Sequence, residues 1–409
     1  EALGIINKVF GYIDSNIERF VDELRVLCKQ PSVSAQKLGL METARMVRDM
    51  MEGVGLEARL IPIKDGPPIV YGELKSKSSR KTLLFYNHYD VQPPEPLEEW
   101  RYPPFEAVVE DGKIIARGAS DNKGNIVSRL KVIEAFLKTT GDVPCNIKFV
   151  VEGEEEIGSP HFHHFIGEHK DLLGADAAVW EFGGLDEKDR PTITLGLKGM
   201  LYVELIARGA KIDIHSSEAA IIESPIWRLT WALSTLKDQS ENILVEGWYD
   251  DVREFTPQEL EAIDKMPFEE EIVKGEYGIS KFLQSLTGFE LKKTLLGRPT
   301  CNIAGVVSGY TGVGAKTVLP SQAKAKIDFR LVPDQDPEKL ISKLKEHLKM
   351  RGFGDIEVKI LSFIKAGRTP ITAEIVKVAE EAAKEVFKKD IVIEVTSPGS
   401  GPIYFFTDL

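Results

Sequence analysis

Three consecutive segments constrain the fold of this chain more than any other part of it. They are the apolar run Leu83-Leu84-Phe85-Tyr86-Asn87-His88-Tyr89-Asp90, an amphipathic pattern from Asn125 to Leu137, and a second apolar run from Asn146 to Val151. Apolar runs of this length read as buried strands, and Ile126, Leu130, Ile133 and Leu137 lie on one side of a helix between them. Strand, helix and strand in that order require a crossover, which implies an α/β fold with a mostly parallel sheet covered by helices. Ligands of such sheets collect outside the carboxyl ends of the strands. Pro93, Pro94 and Pro96 follow the first run closely, so His88 and Asp90 sit where a strand gives way to a loop. Positions i and i+2 share a face of a strand, which puts Asp90 where it can hold the His88 imidazole in one tautomer.

The neighbouring elements carry acids to the same place. Ile17 to Leu27 and Met41 to Met51 read as amphipathic helices, and Glu57 to Ile61 and Ile69 to Leu74 as strands. The segment Ala116-Arg117-Gly118-Ala119-Ser120-Asp121-Asn122-Lys123-Gly124 is a turn before the Asn125 helix, where Asp121 is either a helix cap or a ligand. The Asn146 strand leads into Glu152-Gly153-Glu154-Glu155-Glu156-Ile157-Gly158-Ser159, and the strand Ala177 to Trp180 ends in Glu181. A carboxylate run directly after a buried strand is a poor place for like charges without a cation. One imidazole with several carboxylates suits zinc, manganese or cobalt. Of two adjacent glutamates, one can ligate while the other acts as general base on water. Five such groups exceed what one tetrahedral ion takes, so a two-metal site with a bridging carboxylate is the simpler expectation.

The remaining composition narrows the function classes. The length of 409 residues allows two or three domains. A net charge of -12 argues against a nucleic-acid or anionic-membrane surface. No segment is apolar enough to span a bilayer, and Glu1 to Phe20 mixes charges into its apolar positions, unlike a signal peptide. Cys28, Cys145 and Cys301 are scattered, which suits a reducing cytoplasm and neither a disulfide framework nor a zinc-thiolate site.

A second domain follows. Gly199 to Ile206 reads as a strand, Pro225 to Leu236 as a helix, Asn302 to Val307 and Lys324 to Leu331 as strands, Pro337 to Met350 as a helix and Ile356 to Leu361 as a strand. That order is ferredoxin-like. The insert from Asp238 to Pro299 is long, acidic and irregular, with no derivable role. His161, His163, His164 and His169 lack a consistent ligand spacing and read as a solvated helix face.

The blocks Asn87-His88-Tyr89-Asp90-Val91-Gln92-Pro93, Ala116-Arg117-Gly118 through Asp121-Asn122-Lys123-Gly124, and Glu152-Gly153 through Gly158-Ser159 resemble the signature blocks of the co-catalytic metallopeptidase family. That family includes carnosinase and related dipeptidases, glutamate carboxypeptidase, aminoacylase and succinyl-diaminopimelate desuccinylase. The carnosinase branch is the closest in pattern, and the likeness runs over essentially the whole chain. It implies a catalytic domain over residues 1–197 and 365–409 and an inserted ferredoxin-like lid over 198–364 that pairs two subunits into a homodimer. It further implies that His88 and Glu181 bind one metal, Asp121 bridges, Glu156 binds the second, Glu155 is the general base and Asp90 orients His88. A one-residue slip, with Glu154 as base and Glu155 as ligand, is the alternative register. Zinc is the expected metal, with manganese or cobalt as alternatives.

In the lid, Asp213-Ile214-His215-Ser216-Ser217 resembles the block whose histidine stabilises the oxyanion in the partner's site, although His215 alone reads as a turn histidine. Asp328-Phe329-Arg330-Leu331-Val332-Pro333 resembles the block whose arginine clamps the substrate carboxylate; without the likeness, Arg330 is a surface strand residue. Asn302 and the loop Ser397-Pro398-Gly399-Ser400-Gly401-Pro402, with Gly399 and Ser400, are further candidates for the substrate main chain. Family members carry a last histidine beyond that loop, completing the second metal's shell, so either a strand, a helix and that histidine follow Leu409 or the second metal's site is incomplete. The expected reaction is hydrolysis of an amide bond in a dipeptide or short peptide with a free carboxylate. The alternatives are deacylation of an N-acyl amino acid and a non-catalytic, metal-stabilised dimer that binds small carboxylates.

Overall fold

The computed structural model describes residues 2–181, 183–186 and 188–408, and the chain divides into two compact units, Glu1–Gly183 and Gly184–Leu409. The first runs α1 (Ala2–Lys29), α2 (Leu40–Val54), β1 (Glu57–Ile63), β2 (Gly66–Leu74), β3 (Thr82–His88), the short β4 (Val108–Glu110) and β5 (Lys113–Ile115), α3 (Lys123–Thr140), β6 (Asn146–Glu152), α4 (Phe162–Leu173) and β7 (Ala177–Trp180). Its sheet has the order β1-β2-β6-β3-β7. β3 runs parallel to both β6 and β7, as the α3 crossover demands. β1 and β2 add an antiparallel flank, because the two residues between them, Lys64 and Asp65, form a hairpin and cannot cross over.

Alternation along the strands feeds two cores. On one face Ile147, Phe149 and Val151 pack with Leu27, Val47, Met51, Ile126 and Leu130 from α1 to α3. Each large apolar side chain buried there stabilises by about 1.5–3 kcal/mol. On the other, Tyr86 stacks on Trp180 at 5.2 Å and meets Phe162 of α4 edge-on at 5.5 Å. α3 ends at Gly141, whose φ of 73° returns an amide to the Leu137 carbonyl.

The second unit runs β8 (Gly184–Leu185), β9 (Pro191–Thr194), β10 (Gly196–Arg208), β11 (Ile214–His215), α5 (Pro225–Ser234), α6 (Pro257–Lys265), α7 (Glu270–Tyr277), α8 (Gly288–Gly297), β12 (Thr300–Ser308), β13 (Val318–Leu319) and β14 (Gln322–Leu331). It continues through α9 (Pro337–Met350), β15 (Glu357–Ile364), β16 (Gly367–Arg368), α10 (Glu374–Phe387), β17 (Val392–Glu394), β18 (Ser397–Ser400) and α11 (Tyr404–Thr407). Strands β12-β14-β10-β15 form an antiparallel sheet in that order, the ferredoxin-like arrangement. Leu229, Ala232, Leu340, Leu344 and Leu348 of α5 and α9 pack against Val203, Ile327 and Phe329.

Two sequence expectations change here. The insert between Asp238 and Pro299 is not irregular, because α6, α7 and α8 lie in it. α6 starts on a capping box between Thr256 and Glu259 with Pro257 in its first turn. The segment Ser397–Ser400 is a short strand parallel to β10 where a loop was expected. Among the described residues, no helix is long and apolar enough to cross a membrane.

Candidate metal centre

The parallel register sets the site. β3 lies between β6 and β7, and His88 stands opposite Glu152 across the β3–β6 ladder. The carboxyl ends of three adjacent strands therefore deliver His88, the 152–159 segment and Glu181 to one end of the sheet. The turn before α3 adds Asp121, whose peptide bond to Asn122 is cis.

The His88 side chain is fully buried and pinned from behind. Its Nδ1 lies 3.0 Å from the Asp90 carbonyl oxygen and 3.3 Å from Asp90 Oδ1. With a proton there, Nε2 turns a lone pair toward Glu181 Oε1 at 2.9 Å, Asp121 Oδ1 at 3.0 Å and Glu155 Oε2 at 3.7 Å. Lone pairs facing one another need a cation or a proton between them. Ligand atoms of His88, Asp121 and Glu156 lie within 4.8 Å of one another, as do those of His88, Glu155 and Glu181. An imidazole with its other nitrogen held by a carboxylate, ringed by hard oxygen donors, fits a divalent ion such as zinc, manganese or cobalt.

Electrostatics among the protein groups point the same way. Burial pulls the His88 imidazole down, but Asp121, Asp90 and Glu181 outweigh it and hold the pKa well above its usual value. Burial, with Glu181, Glu156 and Glu152 beside it, pushes Glu155 up to about 8 against the pull of His88. Glu156 is raised by burial and by Asp121, while Gln92 Nε2 donates to its Oε2 at 2.8 Å.

Asp90 does more than orient His88. Its Oδ1 accepts from the Glu155 amide at 3.2 Å and its Oδ2 from the Glu156 amide at 3.0 Å. One residue, through its carbonyl and its carboxylate, thus fixes both the imidazole and the turn carrying the adjacent glutamates. Gly153 lets that turn come close, since a Cβ there would stand 2.5 Å from the Tyr89 ring. Glu152 is turned away, accepting from Tyr86 OH at 2.5 Å and Ser159 Oγ at 2.7 Å, and burial raises it to about 8. Glu154 is also turned away, 2.7 Å from His161 Nδ1. That contact holds Glu154 away from His88, and it corrects the expectation for His161, which is held by an acid instead of lying on a solvated face.

The candidates of the second unit form a group of their own. Arg330 on β14 donates to Ser400 Oγ at 2.8 Å and its Nε lies 3.8 Å from Asp328 Oδ1. Asn302 Nδ2 donates to Asp328 Oδ2 at 2.8 Å, and Gly399 N donates to Ser397 Oγ at 3.2 Å. His215 is exposed; its Nδ1 accepts from the Ser217 amide at 3.1 Å and its Nε2 lies 3.0 Å from Thr317 Oγ1.

Sequence reasoning gave no role to Asn122, Lys123 or Arg129. Asn122 Oδ1 accepts from Asn87 Nδ2 at 2.5 Å and from the His88 amide at 3.2 Å. Buried Lys123 donates to the Leu27 and Gln30 carbonyls at 3.1 and 2.6 Å. An amide side chain at a buried strand end, Asn87, was the signal that a polar network had to lie nearby.

A family profile described as peptidase family M20/M25/M40 matches residues 84–409. The chain is 30% identical over 363 residues to the human Beta-Ala-His dipeptidase, covering 84% of this chain and 71% of that protein. It is 31% identical over 363 residues to a Cys-Gly metallodipeptidase of Schizosaccharomyces pombe, covering 84% and 75% respectively. The crystal structure of an M20 family metallo-carboxypeptidase from Sulfolobus solfataricus superposes with a TM-score of 0.88 at 41% identity, covering 95% of this chain and 88% of that one.

Proposed function

This chain belongs to peptidase family M20/M25/M40, and from that membership we infer that it hydrolyses the amide bond of dipeptides or short peptides bearing a free carboxylate. It is a metal-dependent hydrolase of the dipeptidase and carboxypeptidase class. The observation that carries the reading is the His88 Nε2 atom ringed by Glu181, Asp121 and Glu155 with Asp90 behind it.

In this proposal His88, Asp121, Glu156 and Glu181 would hold a pair of divalent ions, with zinc the first choice and manganese or cobalt the alternatives. The chemistry such a pair supplies when bound is polarisation of the scissile carbonyl and a lowered pKa for water. Glu155 takes the proton of the attacking water and passes it to the leaving amine. Asp90 keeps the imidazole in one tautomer and holds the Glu155 amide, so base and ligand keep their spacing. Arg330, with Asn302, Gly399 and Ser400, binds the substrate's carboxylate and main chain, and His215 stabilises the oxyanion.

Within the same proposal, residues 1–197 with 365–409 form the catalytic domain and 198–364 the lid, and the protein is a homodimer. The uncovered strand β12 supports the dimer, since Asn302 to Val307 are six exposed residues in a row at the end of the sheet order. Three unpaired cysteines support a reducing, cytoplasmic setting.

The test is a panel of dipeptides, amino-blocked dipeptides and N-acyl amino acids, with purified protein and added zinc, manganese or cobalt. Free dipeptides are expected to be cleaved. Turnover of N-acyl amino acids alone would replace peptidase by deacylase, and no turnover with any of the three metals, from protein that includes the native segment carrying the last histidine, would remove the enzymatic reading.

A further inference from the structure

Arg129 sits on α3, two turns beyond Asp121, and its guanidinium lies 5.3 Å from the centroid of the Phe85 ring. One terminal nitrogen donates to the Tyr86 carbonyl at 3.0 Å and to Asn87 Oδ1 at 2.6 Å, and the other donates to the Glu181 carbonyl at 2.6 Å. All three acceptors lie at the carboxyl ends of β3 and β7 or just beyond. Asn87 in turn donates to Asn122 Oδ1, the oxygen that also receives the His88 amide. One cation therefore links the loops that carry His88, Asp121 and Glu181.

Glu181 shows what the link does. Its φ is 47°, in the left-handed region where a side chain other than glycine is strained. Its amide donates to the Tyr86 carbonyl at 2.9 Å, and its own carbonyl accepts from Arg129. The residue is thus held at both backbone ends in a conformation it does not choose, and its carboxylate is aimed at His88 Nε2. Planar, many-armed arginine suits this task, and lysine has neither the fork nor the reach to meet three acceptors at once.

The geometry points to Arg129 as a positioning residue that sets the spacing of the His88–Glu181–Asp121 donor set by clamping the ends of β3 and β7. This rests on the metal-site reading above. It is tested by stripping the protein with a chelator, returning cobalt(II), and measuring both affinity, by competition with a chromogenic chelator, and the visible absorption of the bound ion. The variants are Arg129→Met, Arg129→Lys and, as control, Leu130→Ala, which damages the core of the same helix without touching the site.

Arg129→Met is expected to weaken cobalt binding about 10- to 100-fold and to change its visible spectrum, the scale typical of lost support behind a ligand. Arg129→Lys should recover part of the affinity. Leu130→Ala should lower thermal stability yet leave affinity and spectrum as in the wild type. Wild-type affinity and spectrum in Arg129→Met overturn the inference, and so does an equal loss in Leu130→Ala. If Arg129→Met does not fold, Arg129→Lys decides: reduced affinity with an altered spectrum supports the clamp, and wild-type values refute it. Wild-type protein that takes up no cobalt overturns the metal-site reading and this inference with it, whereas wild type that binds cobalt and cleaves dipeptides beside an unaffected Arg129 variant overturns the clamp alone.

Discussion

At the scale of single residues, the proposed division of labour between Glu155 and Glu156 is sharp enough to test. Glu155→Gln keeps the shape but cannot accept a proton, so turnover should fall by about two to four orders of magnitude. Metal content, measured on the same protein by atomic emission, should not change; a lost ion would mean that base and ligand have been exchanged. Arg330→Lys keeps the charge and loses the fork, so KM for a free dipeptide should rise about tenfold or more while metal content stays fixed. An unchanged KM would remove Arg330 from substrate binding. Much of this site was legible in the residues, because His88, Asp121, Glu155, Glu156 and Glu181 each stand beside a recognisable strand or helix end. Lys123 and Arg129 were not, because they bind backbone carbonyls of distant segments, and no local pattern marks a carbonyl as an acceptor.

Between elements, α1 and α3 are clasped by one acid. Glu134 on α3 accepts from Tyr12 OH at 3.0 Å, from Lys131 Nζ at 3.0 Å and from Arg19. Burial opposes its charge, but these three donors win and hold it at about 2. A carboxyl depressed on folding stabilises the protein above its unfolded pKa, and that stability is lost as pH falls through the folded value. The deficit of Glu134→Gln in urea unfolding should therefore be full near neutral pH and clearly smaller at about pH 3. A deficit independent of pH would assign the effect to packing. The same scale shows why α6, α7 and α8 escaped the sequence. They are only 9, 8 and 10 residues long, too short for a helical period to stand out from acidic surroundings. The ferredoxin-like strands were legible because β14 alternates buried and less buried positions along its length.

For the molecule as a whole, the feature that matters is the margin formed by β12. Ile303, Val306 and Val307 are 48%, 57% and 67% exposed, and the strand carries neither lysine nor proline to discourage pairing. Replacing Val306 and Val307 together by lysine should halve the molar mass seen by light scattering and shift the chain's own stability by no more than about 0.5 kcal/mol per site. A mass equal to that of the wild type would take this strand out of the subunit contact. If the proposed homodimer forms along this margin, the enzyme would also be sensitive to how many of its copies are present. If two chains must meet before His215 can serve, turnover per chain should decline on extreme dilution and return when the sample is reconcentrated, so that scarcity itself switches the protein off.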